Sequence, residues 1–315
     1  MSNIKHLPLC RLSKRAVILF CLSGYLNVLF AQDSLTSAVN HRRLAVVSAG
    51  NILFFTGSYI VLNKAWYADY ERSRFHFFND NPEWNQLDKA GHIWSTYHVS
   101  RLSAGLWRWT GLGRTQAAIA GGVSGMIYQS IIEMQDAYSV AWGFSWGDVG
   151  ANVAGAGLFV FQEIGWRDQR ILVKMGYHPY AYPPGLIERR NQLFGSSFAE
   201  RILKDYNSQT YWISANVASF ANNDRIPKWL NIAVGYSADG MFGGRDNFWV
   251  DEEGRSYDLR HVRRSRRFYL SPDIDLSKIK VKSRALRSVL NVVNSFRIPL
   301  PALQASTDGI RFKVR

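Results

Sequence analysis

The chain has 315 residues, 47% of them hydrophobic and 20% charged; that balance supports a packed core and excludes wholesale disorder. Its formal net charge is +14, which suits anionic lipid head groups or cell-envelope polymers. The export signal read below, with no recognisable nucleic-acid-binding motif, excludes nucleic acid as a partner.

Residues 1–31 read as a signal peptide. Lys5, Arg11, Lys14 and Arg15 form a positive n-region, "AVILFCLSGYLNVLFA" is the apolar h-region, and Ala31 is the cleavage point. Both cysteines, Cys10 and Cys21, fall in this segment, so the mature chain is expected to hold no thiol. That sets aside disulfides, thiol catalysis and Cys-ligated zinc. Residues 44–62 then offer the length and apolarity of a membrane-crossing helix, flanked by His41, Arg42 and Arg43 on one side and Lys64, Trp66 and Tyr67 on the other. The other reading of this stretch is a buried core helix.

Residues 68–86 are polar and aromatic and read as a loop. Helices are expected over about 86–109, 115–138 and 145–164. The glycines of "TGLGR" separate the first two, and a turn at Gly143 separates the last two, with Ser145 as an N-cap. Small residues four apart, Gly121 with Gly125 and then Gly147, Ala151 and Gly155, let helix backbones approach closely. "HPYAYPPG" at 178–185 is a linker. Beyond it, 186–206 reads as one amphipathic helix and 283–296 as another with a basic face. The segments 210–220, 229–236, 266–276 and 309–315 read as strands by aromatic and β-branched enrichment, and 297–303 as extended. The expected fold is α+β, mainly α. An N-terminal helical domain (32–177) is membrane-embedded or membrane-docked, and a basic α+β region (186–315) follows the linker. Arg189, Arg190, the run at 260–267 and Lys278, Lys280 and Lys282 carry much of its charge.

The chemistry concentrates in three helices. Asp88 and His92 are four apart and share a face of the first, continued by Ser95 and Thr96. Gly122, Gly125, Gln129, Glu133 and Asp136 form a stripe on the second, backed by Ile119, Val123, Ile127 and Ile131. Asp148, Asn152, Gly155 and Phe159 line the third. Polar groups in apolar helices are costly unless paired, so the economical arrangement turns the stripes together. His92, Glu133, Asp136 and Asp148 are the candidates for general acid–base or divalent-metal chemistry; Asp88, Lys89, Ser145 and Asn152 are candidates for binding. A structural network is the alternative, with Asp88 capping its helix, Lys89 paired to Glu133 or Asp136, and Asn152 bonded across helices. No His-Glu-x-x-His, Gly-x-Ser-x-Gly or phosphate-loop motif occurs, and no cofactor is required. His98 reads as a packing histidine and His76 has no partner in sequence. Trp142, Phe144 and Trp146 read as interface anchors or core, with a sugar-stacking platform as the alternative.

"DKAGH" at 88–92, "IIEMQDAY" at 131–138 and "GFSWGDVGANVAGA" at 143–156 resemble the YfiM-like family of predicted periplasmic or outer-membrane lipoproteins. Their order is also similar to that of VanZ-like membrane proteins. By position, the resemblance carries over to Asp88, Lys89, His92, Glu133, Asp136, Ser145, Asp148 and Asn152. The chain departs from the lipoprotein members in lacking a lipid-attachment cysteine, since Cys21 sits between Phe20 and Leu22; anchoring would then rely on helices. The resemblance implies envelope biology, on the periplasmic side of the inner or outer membrane, and no particular reaction. The expected protein is therefore an exported, membrane-associated envelope protein, structural or binding a membrane lipid, glycan or anionic envelope polymer. The alternative is a membrane-associated, metal-assisted hydrolase or transferase acting on an envelope lipid or glycan.

Overall fold

A computed structural model describes residues 39–315 apart from 66, 68, 69, 222, 224 and 252. The expected signal peptide, with Cys10 and Cys21, lies outside the described residues. The protein is α+β, with about 49% helix and 21% strand.

Four long helices come first: α1 (His41–Ala65), α2 (Leu87–Trp109), α3 (Arg114–Asp136) and α4 (Trp146–Gly165). All four fall where the sequence places them. Helix α1 is the described helix long and apolar enough to cross a membrane, and Val46, Ile52 and Leu53 along it are 60–70% exposed. Helix α2 is the hub, packed on α3 and α4 on one side and on the sheet on the other. The close approach requires glycine: a Cβ on Gly121 would stand 2.5 Å from the Ser100 carbonyl oxygen of α2. The stripes sort as expected. Gln129 and Glu133 of α3 and Asp148 and Asn152 of α4 are buried, while Ile119, Val123 and Ile127 face outward.

The remainder is a sheet with short helices. Strands β1 (Ile171–Tyr177), β2 (Gln209–Asn216), β3 (Leu230–Asp239), β6 (Ser265–Ile274), β7 (Pro301–Ser306) and β8 (Gly309–Val314) pair in the order β1-β2-β3-β6-β7-β8, antiparallel throughout. β4 (Phe248–Val250) and β5 (Ser256–Asp258) form a separate hairpin. The sheet curls. On the free edge of β1, Met175 N–H donates to the Ser295 carbonyl at 3.0 Å, and Arg297 N–H donates to the Met175 carbonyl at 2.9 Å. Residues 295–297 lead into β7, so the curl brings the two flanks of the sheet nearly into closure.

Three elements differ from expectation. The single helix over 186–206 is two, α5 (Ile187–Phe194) and α6 (Phe198–Lys204). Gly195, at φ +83°, ends the first, and a Ser197–Glu200 capping box starts the second. The strand over 210–220 stops at Asn216, where its side chain accepts from Ser219 N–H and starts the short helix α7 (Val217–Ala221). β1, whose sequence was not read as a strand, lies before the proline-rich segment 178–185 and pairs with β2 beyond it. Helix α8 (Arg284–Val293) forms as expected, capped by Ser283.

Candidate functional site

The antiparallel packing of α2, α3 and α4 puts the N-terminus of α2, the C-terminus of α3 and the N-terminus of α4 at one end of the bundle. Asp88 and Asp148 stand in the first turns of α2 and α4, where the helix dipole favours a carboxylate. Ser145 caps α4, accepting the Asp148 N–H at 3.1 Å, and donates its own hydroxyl to Asp80 Oδ1 at 2.5 Å.

Lys89 is the centre of this cluster. Its Nζ lies 2.6 Å from Asp148 Oδ1, 2.7 Å from Asp80 Oδ2 and 3.0 Å from Asp88 Oδ2. This corrects two details of the structural reading. Lys89 pairs with neither Glu133 nor Asp136, because its neighbours are the helix starts and the preceding loop. Asp88 does not cap α2: Gln86 holds the N-cap position without a side-chain bond, and the Asp88 carboxylate accepts from Lys89 and from the Tyr206 hydroxyl at 2.8 Å.

His92 sits one turn deeper. Its Nδ1 is 3.1 Å from Asn152 Oδ1. An amide oxygen only accepts, so Nδ1 carries a proton there. Nε2 is thereby turned to Asp148 Oδ1 at 3.5 Å and Asp88 Oδ1 at 3.8 Å. Asn152 Oδ1 is also 2.9 Å from Thr96 Oγ1, which accepts from Gln129 Nε2 at 3.1 Å. Asp88, His92 and Asp148 each offer a ligand atom, all within 4.8 Å of one another. Glu133 lies behind the ring, its carboxyl 3.7 Å from Nδ1 and 1% exposed. Asp136 is set apart, accepting from the Tyr67 hydroxyl at 2.6 Å.

Five carboxyl groups, Asp80, Asp88, Glu133, Asp136 and Asp148, thus share one end of the bundle with Lys89 and His92. Burial, and then the nearby charge of Asp88, raises the Asp148 carboxyl, while Lys89 opposes the shift. Burial also acts on Asp88, but the charges of His92 and Lys89 outweigh it and hold that carboxyl below its usual value. Burial and the Asp136 charge push Glu133 up to about 8, with the Ser145 amide opposing. Burial pushes Asp136 up to about 7 against its bond from Tyr67. Glu133 therefore keeps a proton in the fold that the unfolded chain releases near 4.5. The stability this gives is complete below that pH and declines as pH rises towards 8, by up to ~1.4 kcal/mol per pH unit. Glu133→Gln should flatten the decline between pH 5 and 8 in thermal unfolding; parallel curves for variant and parent would refute the assignment.

The cluster opens on a cleft of about 320 Å³ between the bundle and the C-terminal region. Asp80, Asp88, His92, Asp136 and Asp148 line its polar part; Leu62, Trp94, Tyr128, Ile132, Ile202 and Leu203 line the rest. The loop entering α2 is strained, with Trp84, Asn85 and Gln86 in succession at φ of 47°, 50° and 62°. Such conformations cost roughly 1–2 kcal/mol per residue. The C-terminal region holds them: the Tyr236 hydroxyl donates to the Asn85 carbonyl at 2.6 Å, and Trp84 N–H donates to the Gly244 carbonyl at 2.7 Å.

The structure thus gathers Asp88, Lys89, His92, Glu133, Ser145, Asp148 and Asn152, and places Asp136 on the same cleft through a separate contact. Sequence reasoning missed Asp80, Tyr67 and Tyr206. His98 is buried with both ring nitrogens partnered, Nε2 on the Val173 carbonyl at 2.7 Å and Nδ1 on Ser295 Oγ at 3.1 Å. His76 Nε2 meets the Trp142 carbonyl at 2.7 Å. Trp142 packs edge-on against Tyr67 and Tyr70, while Trp146 is 68% exposed beside Phe77 and Phe144.

No curated protein and no solved structure matches the chain. Residues 76–163, which hold α2, α3, most of α4 and the cluster, match a family described as predicted periplasmic lipoproteins (DUF2279). The similarity supports what the leader and α1 led us to expect: the protein is exported and associated with the cell envelope.

Proposed function

We propose that this envelope protein binds an amphiphilic envelope molecule, a lipid or a lipid-linked glycan, in the cleft between its helical bundle and its C-terminal region. The observation that carries the reading is the mixed lining of the cleft: carboxylates and His92 together with aromatic and aliphatic side chains. A ligand with a polar head and an apolar body matches such a wall. The carboxylates outnumber the cations, so the complementary head offers hydrogen-bond donors, an ammonium or sugar hydroxyls, and a bare phosphate is disfavoured. The closer affinities to YfiM-like and VanZ-like proteins belong to this same reading.

Native mass spectrometry of the protein released from nanodiscs of equal phosphatidylethanolamine and phosphatidylglycerol tests it. Phosphatidylethanolamine should be retained preferentially. Asp148→Asn and His92→Gln should weaken retention about tenfold, the worth of one charge-assisted hydrogen bond, with the unfolding temperature held near that of the parent. Release of both lipids alike from parent and variants would overturn the proposal.

A second reading has one observation in its favour. Asp88, His92 and Asp148 form a nitrogen–oxygen donor set suited to a divalent cation. Such an ion would compete with the Lys89 ammonium for Asp148, and would polarise an ester or glycosidic bond in a metal-assisted hydrolase or transferase. Elemental analysis separates the readings: a stoichiometric metal lost in His92→Gln supports the second, and metal-free protein that still retains lipid supports the first.

A further inference from the structure

The C-terminal sheet has its polarity reversed. Ile213, Val234, Leu270, Leu303 and Phe312 are paired directly across five neighbouring strands. They are 47%, 55%, 49%, 50% and 69% exposed. Ile232, Phe268 and Ile310 on the same face are at least half exposed. The opposite face is buried and largely polar: Ser214, Asn231, Ser271, Asp273 and Gln304 are all 3% exposed or less. Three of these groups bond in series: Asn231 Nδ2 donates to Ser214 Oγ at 2.9 Å and Ser214 Oγ donates to Asp273 Oδ2 at 2.6 Å. An antiparallel sheet with one face in water puts its polar residues outward. Apolar-out and polar-in alternation is the pattern of strands that face lipid.

We infer that the outer face of this sheet lies against the acyl chains of the membrane, so that the chain is embedded through its strands as well as through α1. Strand length agrees: β3 and β6 have 10 residues each, and a tilted strand crosses a bilayer in about 9–11. The two ends of the sheet agree as well. Lys228, Trp229, Lys278 and Lys280 gather beyond the end marked by Leu230 and Ile274; Arg263, Arg264, Arg266 and Arg267 gather at the end marked by Asp239 and Ser265. A band of apolar side chains between two basic rims complements acyl chains between anionic head groups. The outer side of β1 is taken by the bundle, with Met175 and Tyr211 packed on Leu87; from Ile213 onward the face is exposed. Part of the charge excess of the C-terminal region falls in these two rims, where Arg267 and Lys278 also pair with Asp239 and Asp168. The inference rests on the sheet alone and stands apart from the reading of the cleft.

The test uses the full chain with Cys10 and Cys21 replaced by Ser, in vesicles of phosphatidylethanolamine and phosphatidylglycerol. Single nitroxide labels are placed at Val234→Cys, Leu270→Cys and Glu253→Cys, the last on an exposed loop side chain. Labels at 234 and 270 should relax more with dissolved oxygen than with a water-soluble nickel chelate, and the label at 253 should show the reverse. Thermal unfolding confirms that each variant folds like the parent. Nickel reaching 234 and 270 as readily as 253 would place the face in water and overturn the inference. Dipolar broadening between labels at 270 in sparsely loaded vesicles would also overturn it, because a second copy would then cover the face.

Discussion

Lys89→Met should be among the most damaging single changes in the bundle, lowering stability at neutral pH by about 3–5 kcal/mol, the cost of stripping a buried ion cluster of its counter-charge. Lys89 is 13% exposed and lies within 3.0 Å of three carboxylates, of which Asp148 is 6% exposed. Without the ammonium these carboxyls face one another in a desolvated site. The Asp148 carboxyl, already raised by burial and by the Asp88 charge, then rises further above its value in the unfolded chain, and the folded form holds a proton that the unfolded form releases. Stability consequently falls as pH rises, so the deficit should be small at pH 4–5 and full at pH 7–8. Lys89→Arg keeps the charge and should recover part of the loss. Thermal unfolding across pH measures all three proteins, and a Lys89→Met curve that tracks the parent at every pH would sink the account. The variant also asks a functional question. If Asp88, His92 and Asp148 have latent affinity for a divalent ion, added Zn²⁺ should restore the stability of Lys89→Met while leaving the parent unchanged, since a ligand that binds only the folded state stabilises it by mass action.

The helical part of the fold was legible because the helix period is a strong signal. Once Asp88 and His92 lie on one stripe, and Asp148 and Asn152 on another, with apolar residues behind, only one rotation of each helix satisfies both burial and pairing. Ser145 fixed the start of α4 by the same logic. The loop and long-range contributors were not legible. Asp80 sits in a turn whose approach to Lys89 depends on the strained residues 84–86. Tyr206 meets Asp88 across 118 residues of sequence. β1 escaped because Lys174 interrupts an apolar run, and a lysine inside a strand reads as exposed until its buried partner is known. The sheet shows a different limit. Alternation reveals that a strand has two unlike faces, and it does not say which of them is turned inward.

That inward face carries the second prediction, for Asp273→Ala. Lys174, Asp273 and Arg297 have side chains only 1% exposed. The Asp273 carboxylate is 2.8 Å from Lys174 Nζ and 3.5 Å from Arg297 Nη1, and it accepts the Ser214 hydroxyl. The Arg297 guanidinium lies 3.6 Å above the Trp212 ring, on which Tyr269 packs in turn. Removing the carboxylate leaves two buried cations without a counter-charge, a loss of roughly 3–5 kcal/mol. Asp273→Asn keeps the shape and the bond from Ser214 and should fall between variant and parent. Replacing two of the three together, Lys174→Met with Asp273→Leu, should recover only part of the loss, because one cation leaves with the carboxylate while Arg297 stays buried without its counter-charge. The damage should travel further than the sheet. β1 carries Lys174 and also the Val173 carbonyl that accepts from His98 Nε2, while Ser295, two residues before Arg297 in the chain, donates its hydroxyl to the other nitrogen of the same ring. Helix α2, which places Asp88, Lys89 and His92, is thus docked on the strand that Asp273 steadies. Hydrogen exchange should therefore quicken in α2 and β1 of Asp273→Ala, with the far end of α3 little changed. Exchange altered only within the sheet would show that the cluster and the sheet fold as independent units.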